Sequence, residues 1–204
     1  MKTNHCITLL SGVLMAITLT ACSSDSEFST WPCRFSYNNQ IHNDATLASA
    51  MNSNSRGVFC KISQSTAAGV FYFNFESSDG VTKSSQPMTA EEKQEWQRGG
   101  IILGINNGII VGYQTLITDG PFGGFIAYDV QCPNCVRREN NTVNPNYRVS
   151  IDSQGIATCP KCGKRYDMNN GGIITNGAEN DTGLEKYIAV TAGPFSVLSV
   201  MRRN

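Results

Sequence analysis

The sequence predicts an all-β domain of antiparallel sheets with one or two short helices. Short runs of Val, Ile, Phe and Tyr alternate with clusters of Gly, Asn, Asp and Ser, and glycine is frequent, at nineteen of 204 residues. About 180 residues remain after an N-terminal leader, which is the size of one ordinary domain. We therefore expect a single β domain over 29–204, with metal-binding loops at 130–137 and 157–166.

The first twenty-one residues have the pattern of a secretion signal. Lys2 precedes an apolar core at 7–19 that is too short to span a membrane stably. The ending Leu19-Thr20-Ala21-Cys22 resembles the lipobox of bacterial lipoproteins, which implies that Cys22 is lipidated and becomes the N-terminus. An ordinary signal peptide cut near the same point is the alternative.

Residues 22–28 are polar and acidic, and they predict a flexible tether. Acidic residues behind a lipidated cysteine also resemble the surface-export tags of some Gram-negative lipoproteins. We expect a protein anchored through its lipid in a Gram-negative cell envelope, at the periplasmic or surface face of the outer membrane. The membrane is its predicted partner, together with a protein or ligand that the sequence does not identify.

Charge is balanced, with sixteen basic and sixteen acidic residues and no basic run of five or more. This composition argues against recognition of nucleic acid or of anionic lipid.

Capping signals predict the helices. Asn43 or Asp44 can cap a helix over 45–51, and Thr89 with Glu92 has the capping-box spacing for a helix over 91–98.

Apolar runs between turn residues predict the strands. The Asn107-Gly108 step between the runs 101–105 and 109–113 predicts a β-hairpin. The other predicted strands are 31–37, 57–62, 70–75, 123–129, 147–151, 155–158, 187–190 and 195–200.

Two Cys-x-x-Cys pairs, twenty-three residues apart, are the strongest functional signal. Each such turn can aim two sulfurs at one point, and four thiolates form the soft tetrahedral set that zinc or iron prefers. The predicted metal ligands are Cys132, Cys135, Cys159 and Cys162. Two disulfides or four free thiols are the alternative.

Two further cysteines, Cys33 and Cys60, remain in the predicted mature chain. In an exported protein such a pair predicts a disulfide, which would stabilise the fold by about 3 kcal/mol. A redox-active pair is the alternative. Only His42 remains of the two histidines, which excludes a site needing two imidazoles from one chain, and its polar surroundings favour a solvated or capping role.

The region from about residue 100 to 204 resembles the Rieske iron-sulfur domains. The segment 125–133, Phe-Ile-Ala-Tyr-Asp-Val-Gln-Cys-Pro, is similar to the entry of their first cluster loop, and 151–167 is similar to their second loop. The resemblance implies stacked antiparallel sheets with a small cluster-binding subdomain made of two loops.

The chain departs from that family at the ligands. Family loops offer one cysteine and one histidine each, whereas Asn134 and Cys162 stand at the two histidine positions. Cys132 and Cys159 match the family cysteines, and Cys135 is an addition. The two-histidine cluster cannot form, and the paired Cys-x-x-Cys turns resemble rubredoxin and zinc ribbons instead.

The expected cofactor is Zn²⁺ in a structural role, because a closed four-thiolate shell leaves no position for a catalytic water. Mononuclear iron or a 2Fe-2S cluster is the alternative, with an electron-transfer function. The acids Asp129, Asp167 and Glu185 fit turns and strand edges better than a catalytic pair. We expect no catalytic residue, and a redox role is the one route to an oxidoreductase function.

Overall fold

The computed structural model describes residues 28–118 and 123–203. The predicted signal peptide, the lipidation site Cys22 and the tether as far as Glu27 lie outside the described residues. Phe28, the last residue of the predicted tether, is half-buried and packs against the domain.

The described residues are mostly β-strand, in antiparallel sheets that include a curled half-barrel, as the predicted fold class requires. Four short α-helices accompany them, two more than the sequence indicated. The strands are β1 (Arg34–Asn38), β2 (Phe59–Ala67), β3 (Val70–Ser77), β4 (Lys83–Pro87), β5 (Gly108–Tyr113), β6 (Phe125–Asp129), β7 (Ser150–Ile151), β8 (Ile156–Thr158), β9 (Arg165–Asp167), β10 (Ile173–Ile174), β11 (Lys186–Thr191) and β12 (Val197–Met201). The helices are α1 (Asn39–His42), α2 (Ala45–Ala50), α3 (Ala90–Gln97) and α4 (Pro133–Glu139).

The strands form one large sheet and one small sheet. The large sheet has the order β1-β12-β11-β6-β5-β2-β3-β4, and the small sheet has the order β10-β9-β8-β7. The small sheet and α4 are inserted in the chain between β6 and β11, which are hydrogen-bonded neighbours in the large sheet. The fold thus carries one compact insertion on a β framework.

The central strands are buried on both faces. One face of β5 and its neighbours contributes Ile109 and Val111 to a core inside the curl of the large sheet. The other face contributes Ile110 and Tyr128 to a second core, which lies between the large sheet and the cysteine-bearing insertion. This explains why β5 and β6 read as continuous apolar runs rather than as alternating ones.

The two predicted helices are present. The Asp44 side chain accepts from Leu47 N at 2.9 Å and caps α2. At α3, Glu92 N donates to Thr89 Oγ1 at 3.2 Å and Thr89 N donates to Glu92 Oε2 at 2.8 Å, which is the predicted capping box. Among the described helices, none is long and apolar enough to cross a membrane.

The predicted hairpin around Asn107 does not form. Strand β5 is present, but it pairs with β2 on one side and β6 on the other, so it has no free edge for residues 101–105. That segment is held by buried polar groups instead: Ile105 N donates to Asp129 Oδ2 at 2.7 Å, and Arg148 Nη1 donates to the Asn106 carbonyl at 2.7 Å.

The predicted disulfide is absent from the structure. Cys33 and Cys60 are both buried free thiols. Cys33 directly precedes β1 and Cys60 lies on β2, and four strands separate β1 from β2 in the large sheet. Burial raises the pKa of Cys33 to about 12 and that of Cys60 well above its ordinary value, so both thiols stay protonated in the core.

His42 is not solvated, contrary to the sequence interpretation. Its side chain is 6 % exposed, its Nε2 lies 3.0 Å from Glu92 Oε1, and its ring stacks on Tyr37 with 4.6 Å between centroids. The polar residues around His42 concealed this role because they form the caps of α1 and α2. His42 joins α1 to the first turn of α3.

Candidate metal centre

Two turns of different construction present the four cysteines. Cys132 is the N-cap of α4 and Cys135 lies in its first turn, with Pro133 at the first helical position, where its missing N–H is not needed. Cys159 follows β8, and Cys162 lies in the turn that leads to β9. A helix start and a hairpin turn thus face each other across the second core.

The four sulfurs converge on one point. All four Sγ atoms lie within 4.8 Å of one another. Cys132 Sγ is 3.7 Å from Cys162 Sγ, and Cys135 Sγ is 3.8 Å from Cys159 Sγ. A tetrahedron of thiolates about 2.3 Å from a single zinc has edges of about 3.8 Å. The spacing therefore fits one tetrahedral ion.

A two-iron cluster needs a wider arrangement of its four ligands. A 2Fe-2S centre puts two irons and two bridging sulfides between its thiolate pairs, so sulfurs on different irons lie farther apart than the edge of one tetrahedron. All four sulfurs here share one tetrahedron-sized volume. This spacing favours a single ion over the 2Fe-2S alternative.

Backbone amides support the sulfurs. The N–H of Cys135 hydrogen-bonds to the Cys132 sulfur, and the N–H groups of Lys161 and Cys162 hydrogen-bond to the Cys159 sulfur. Such donors stabilise thiolate charge before and after a metal binds. Each Cys-x-x-Cys turn thus supplies two ligands and also the dipoles that hold one of them.

A buried side-chain network positions Cys132. The Tyr166 hydroxyl lies 3.0 Å from Cys132 Sγ and accepts from Asn134 Nδ2 at 3.0 Å. Asn134 Nδ2 also donates to the Thr182 carbonyl at 2.8 Å, and Asn134 Oδ1 accepts from Thr182 N at 3.0 Å. Asn134 is therefore no ligand; it links the first turn to the segment after β10.

Cations surround the thiolates. Arg138 Nη2 lies 3.6 Å from Cys135 Sγ. Lys164 forms a salt bridge with Asp181, and this partner, followed by the sulfurs of Cys162 and Cys132, raises the pKa of Lys164. Four thiolates around a divalent ion carry a net charge of minus two; Arg138 lies beside them, while the charge of Lys164 is already matched by Asp181.

The neighbouring sulfurs shift one another's pKa values. A hydrogen bond from Cys159 lowers the pKa of Cys132 to about 5, with the Tyr166 hydroxyl adding to the effect. Burial raises the pKa of Cys135 to about 12, and the bond to Cys132 raises that of Cys159. A metal ion binds thiolates, so its binding at this site releases the protons that remain on the sulfurs.

Two of the acids that the sequence analysis considered, Asp129 and Asp167, accept hydrogen bonds within the fold. Asp129 is fully buried and accepts from Ile105 N, Gln131 N and the Tyr187 hydroxyl at 2.7–2.8 Å. Asp167 caps the turn that follows β9 by accepting from Asn169 N. Both carboxylates thus have structural partners.

The structure brings together all four predicted ligands, and it adds Tyr166, Asn134 and Arg138, which the sequence did not single out as site residues. Their only sequence signal is position: each lies within four residues of a ligand cysteine. Three of the four cysteines are buried, and Cys162 is half-exposed, so the site reaches the surface at one corner.

Comparison with protein-family models, with curated proteins and with solved structures gave no match to this chain. Its function must be argued from the metal centre and the surfaces around it.

Proposed function

We propose that this chain is an exported lipoprotein, anchored through Cys22 in a Gram-negative cell envelope, whose four-cysteine site holds a structural Zn²⁺. Its role is to present a binding or structural surface, with no chemistry at the metal. The observation that carries the proposal is the convergence of Cys132, Cys135, Cys159 and Cys162 within 4.8 Å in a single tetrahedral set.

Three features support zinc in a structural role. The shell has four protein ligands, so an ion bound there has no open position for a water or a substrate. Zinc also needs no assembly machinery outside the cytoplasm. The site joins α4 to the small sheet, and both cover one face of the large sheet, so the ion would supply folding free energy where the insertion closes.

We also propose that the architecture is Rieske-like. It is supported by the small cysteine-bearing sheet inserted between neighbouring strands of a larger antiparallel sheet. Asn134, which stands at the family's first histidine position, points to Tyr166 rather than to the sulfurs. The site would then have exchanged a two-iron cluster for a single ion.

A second candidate is electron transfer by a mononuclear iron. The same sulfur tetrahedron accommodates one iron, and Cys162 reaches the surface, where an electron could leave or enter. This candidate predicts a coloured, redox-active protein.

Elemental analysis of the full chain purified from envelope membranes separates the two candidates. We expect one zinc per chain and no visible absorption. Stoichiometric iron with a visible band that bleaches on reduction would replace the zinc proposal with the electron-transfer one. Mass analysis of the N-terminal peptide tests the anchor independently, because a lipidated Cys22 adds the mass of its acyl chains.

A further inference from the structure

The chain enters the domain beside the ends of two strands. Ser29 N donates to the Lys186 carbonyl at 2.8 Å, at the start of β11. Arg203, two residues after β12, lies over the Phe28 ring at 5.6 Å from its centroid, and Arg202 Nη1 donates to the Thr30 carbonyl at 3.4 Å. The point where the predicted tether meets the fold is therefore fixed at this end of the large sheet.

Three arginines gather at the same end. Arg34 faces Met201 across the β1–β12 ladder, and Arg202 N donates to the Cys33 carbonyl at 3.1 Å. The side chains of Arg34, Arg202 and Arg203 are exposed, and none forms an ion pair with a carboxylate within residues 28–118 and 123–203. The fold thus brings together Arg34 and Arg202, which are 168 positions apart in the sequence. A search for basic runs in the sequence could not detect this cluster.

Apolar side chains stand among these arginines. Trp31 is 38 % exposed and Met201 is 44 % exposed. Between Arg34 and Arg202 lies an open cleft of about 390 Å³. We call Trp31, Arg34, Met201, Arg202 and Arg203 the arginine surface.

This combination suits a membrane surface. Guanidinium groups bind phosphate oxygens in a bidentate manner, and tryptophan favours the layer between headgroups and hydrocarbon. Each arginine near an anionic bilayer strengthens association by about fivefold. Glu91, Glu92 and Glu95 line a neighbouring cleft together with Arg34, so Arg202 and Arg203 supply the positive charge of this surface.

We infer that the arginine surface docks on anionic phospholipid headgroups, so that this end of the domain lies against the membrane. The inference rests on the lipid anchor in the proposed function. Six residue steps lead from Cys22 to Phe28, and they reach at most about 20 Å. An anchored domain is therefore held close to the bilayer, and the end from which its tether leaves carries the unpaired cations. The sequence argued against binding to anionic lipid because it has no basic run. The fold brings Arg34 and Arg202 together at one end of the sheet, so a basic surface forms without such a run.

The experiment uses Trp31 as its reporter. The chain has two tryptophans, so a Trp96→Phe background leaves Trp31 as the only one. The full, lipidated chain is reconstituted into vesicles of equal parts phosphatidylcholine and phosphatidylglycerol that contain brominated lipid, and quenching of Trp31 fluorescence is measured. We expect strong quenching, which falls to the level of phosphatidylcholine vesicles in 1 M salt, because the screening length drops to about 3 Å.

Two variants test the charges. Arg202→Ala with Arg203→Ala should reduce the docked-to-undocked ratio about 25-fold, and adding Arg34→Ala should reduce it about a hundredfold. The double variant avoids Arg34, which also donates to the Gly99 and Gly100 carbonyls. Lys83→Ala with Arg165→Ala makes the same change of charge at exposed positions elsewhere, Lys83 being on the edge strand β4 opposite β1, and should leave quenching unchanged.

The experiment distinguishes failure of the lipid anchor from failure of the docking surface. Flotation with pure phosphatidylcholine vesicles reports the anchor alone, so a chain that does not float there overturns the lipid anchor. A chain that floats but shows no quenching in phosphatidylglycerol vesicles overturns docking while the anchor stands. Quenching that survives loss of Arg202 and Arg203 also overturns docking.

Discussion

The side-chain amide of Asn134 donates a hydrogen bond to the hydroxyl of Tyr166 at 3.0 Å, and that hydroxyl lies 3.0 Å from the Cys132 sulfur. Both residues are buried. A residue between two cysteine ligands is thus tied to a strand on the other side of the metal site. The contact fixes the direction from which Tyr166 can donate to the sulfur.

Tyr166→Phe should weaken zinc binding about 10- to 100-fold without unfolding the domain, because loss of an outer hydrogen bond to a ligand typically has that effect. Competition with a chromophoric chelator measures the affinity. Tyr37→Phe is the matched control, since the Tyr37 hydroxyl is buried without a hydrogen-bond partner in the described part of the chain. Equal affinities in the wild type and Tyr166→Phe would contradict a role for this hydroxyl.

Cys162→Ser should lower the free energy of unfolding by about 3–4 kcal/mol, roughly a quarter of the apparent binding energy of a structural zinc. For a chain of this length the melting temperature should fall by about 10 °C. Differential scanning calorimetry of zinc-loaded protein measures both. Cys60→Ala, far from the site in sequence, should keep its zinc. A Cys162→Ser profile that superimposes on the wild type would rule out a structural metal there.

Cys33 and Cys60 should react as free thiols once the protein is unfolded. Both are buried and carry raised pKa values, so iodoacetamide should leave them unmodified in the native state. In denaturant without reductant, peptide mass mapping should find both cysteines alkylated. A peptide pair joined through Cys33 and Cys60 would instead restore the disulfide that the sequence suggested.

Asp129 should make the protein less stable as pH rises from about 4 to 6. Burial, opposed by its three hydrogen bonds, raises the pKa of Asp129 from 3.8 to about 6. Between these values the native state holds a proton that the unfolded state has released, so rising pH removes up to about 3 kcal/mol of stability, which is fully present below pH 3.8. Urea unfolding across this range measures the slope.

Comparison with Asp129→Asn isolates that contribution, because the pH dependence of metal binding is common to both proteins. We expect the stability of the wild type relative to Asp129→Asn to fall as pH rises from about 4 to 6 and to level off above that. A difference that is constant with pH would show that Asp129 keeps an ordinary pKa.

Local signals predicted local structure well. The capping box at Thr89 and Glu92, the Asp44 cap and the closing hairpin of β11 and β12 all follow from neighbours in the chain. The four ligands were also predictable, because Cys-x-x-Cys spacing is a property of one turn.

Errors arose where distant residues decided the outcome. The Asn107 turn is real, with φ of 51°, but β2 and β6 occupy both edges of β5. His42 hydrogen-bonds to Glu92, which lies fifty positions away in the sequence. Tyr166 and Asn134 meet only after the insertion has folded, so no sequence pattern could join them. The outer part of a metal site is therefore harder to predict than its ligands.

The pairing of β1 with β12 places Arg34 opposite Met201, almost the whole described chain away. On that side, β1 therefore has no partner strand until β12 is in place. Contacts between residues so distant in sequence form slowly. If the chain crosses a membrane pore unfolded, β1 can pair with β12 only after β12 has left the pore.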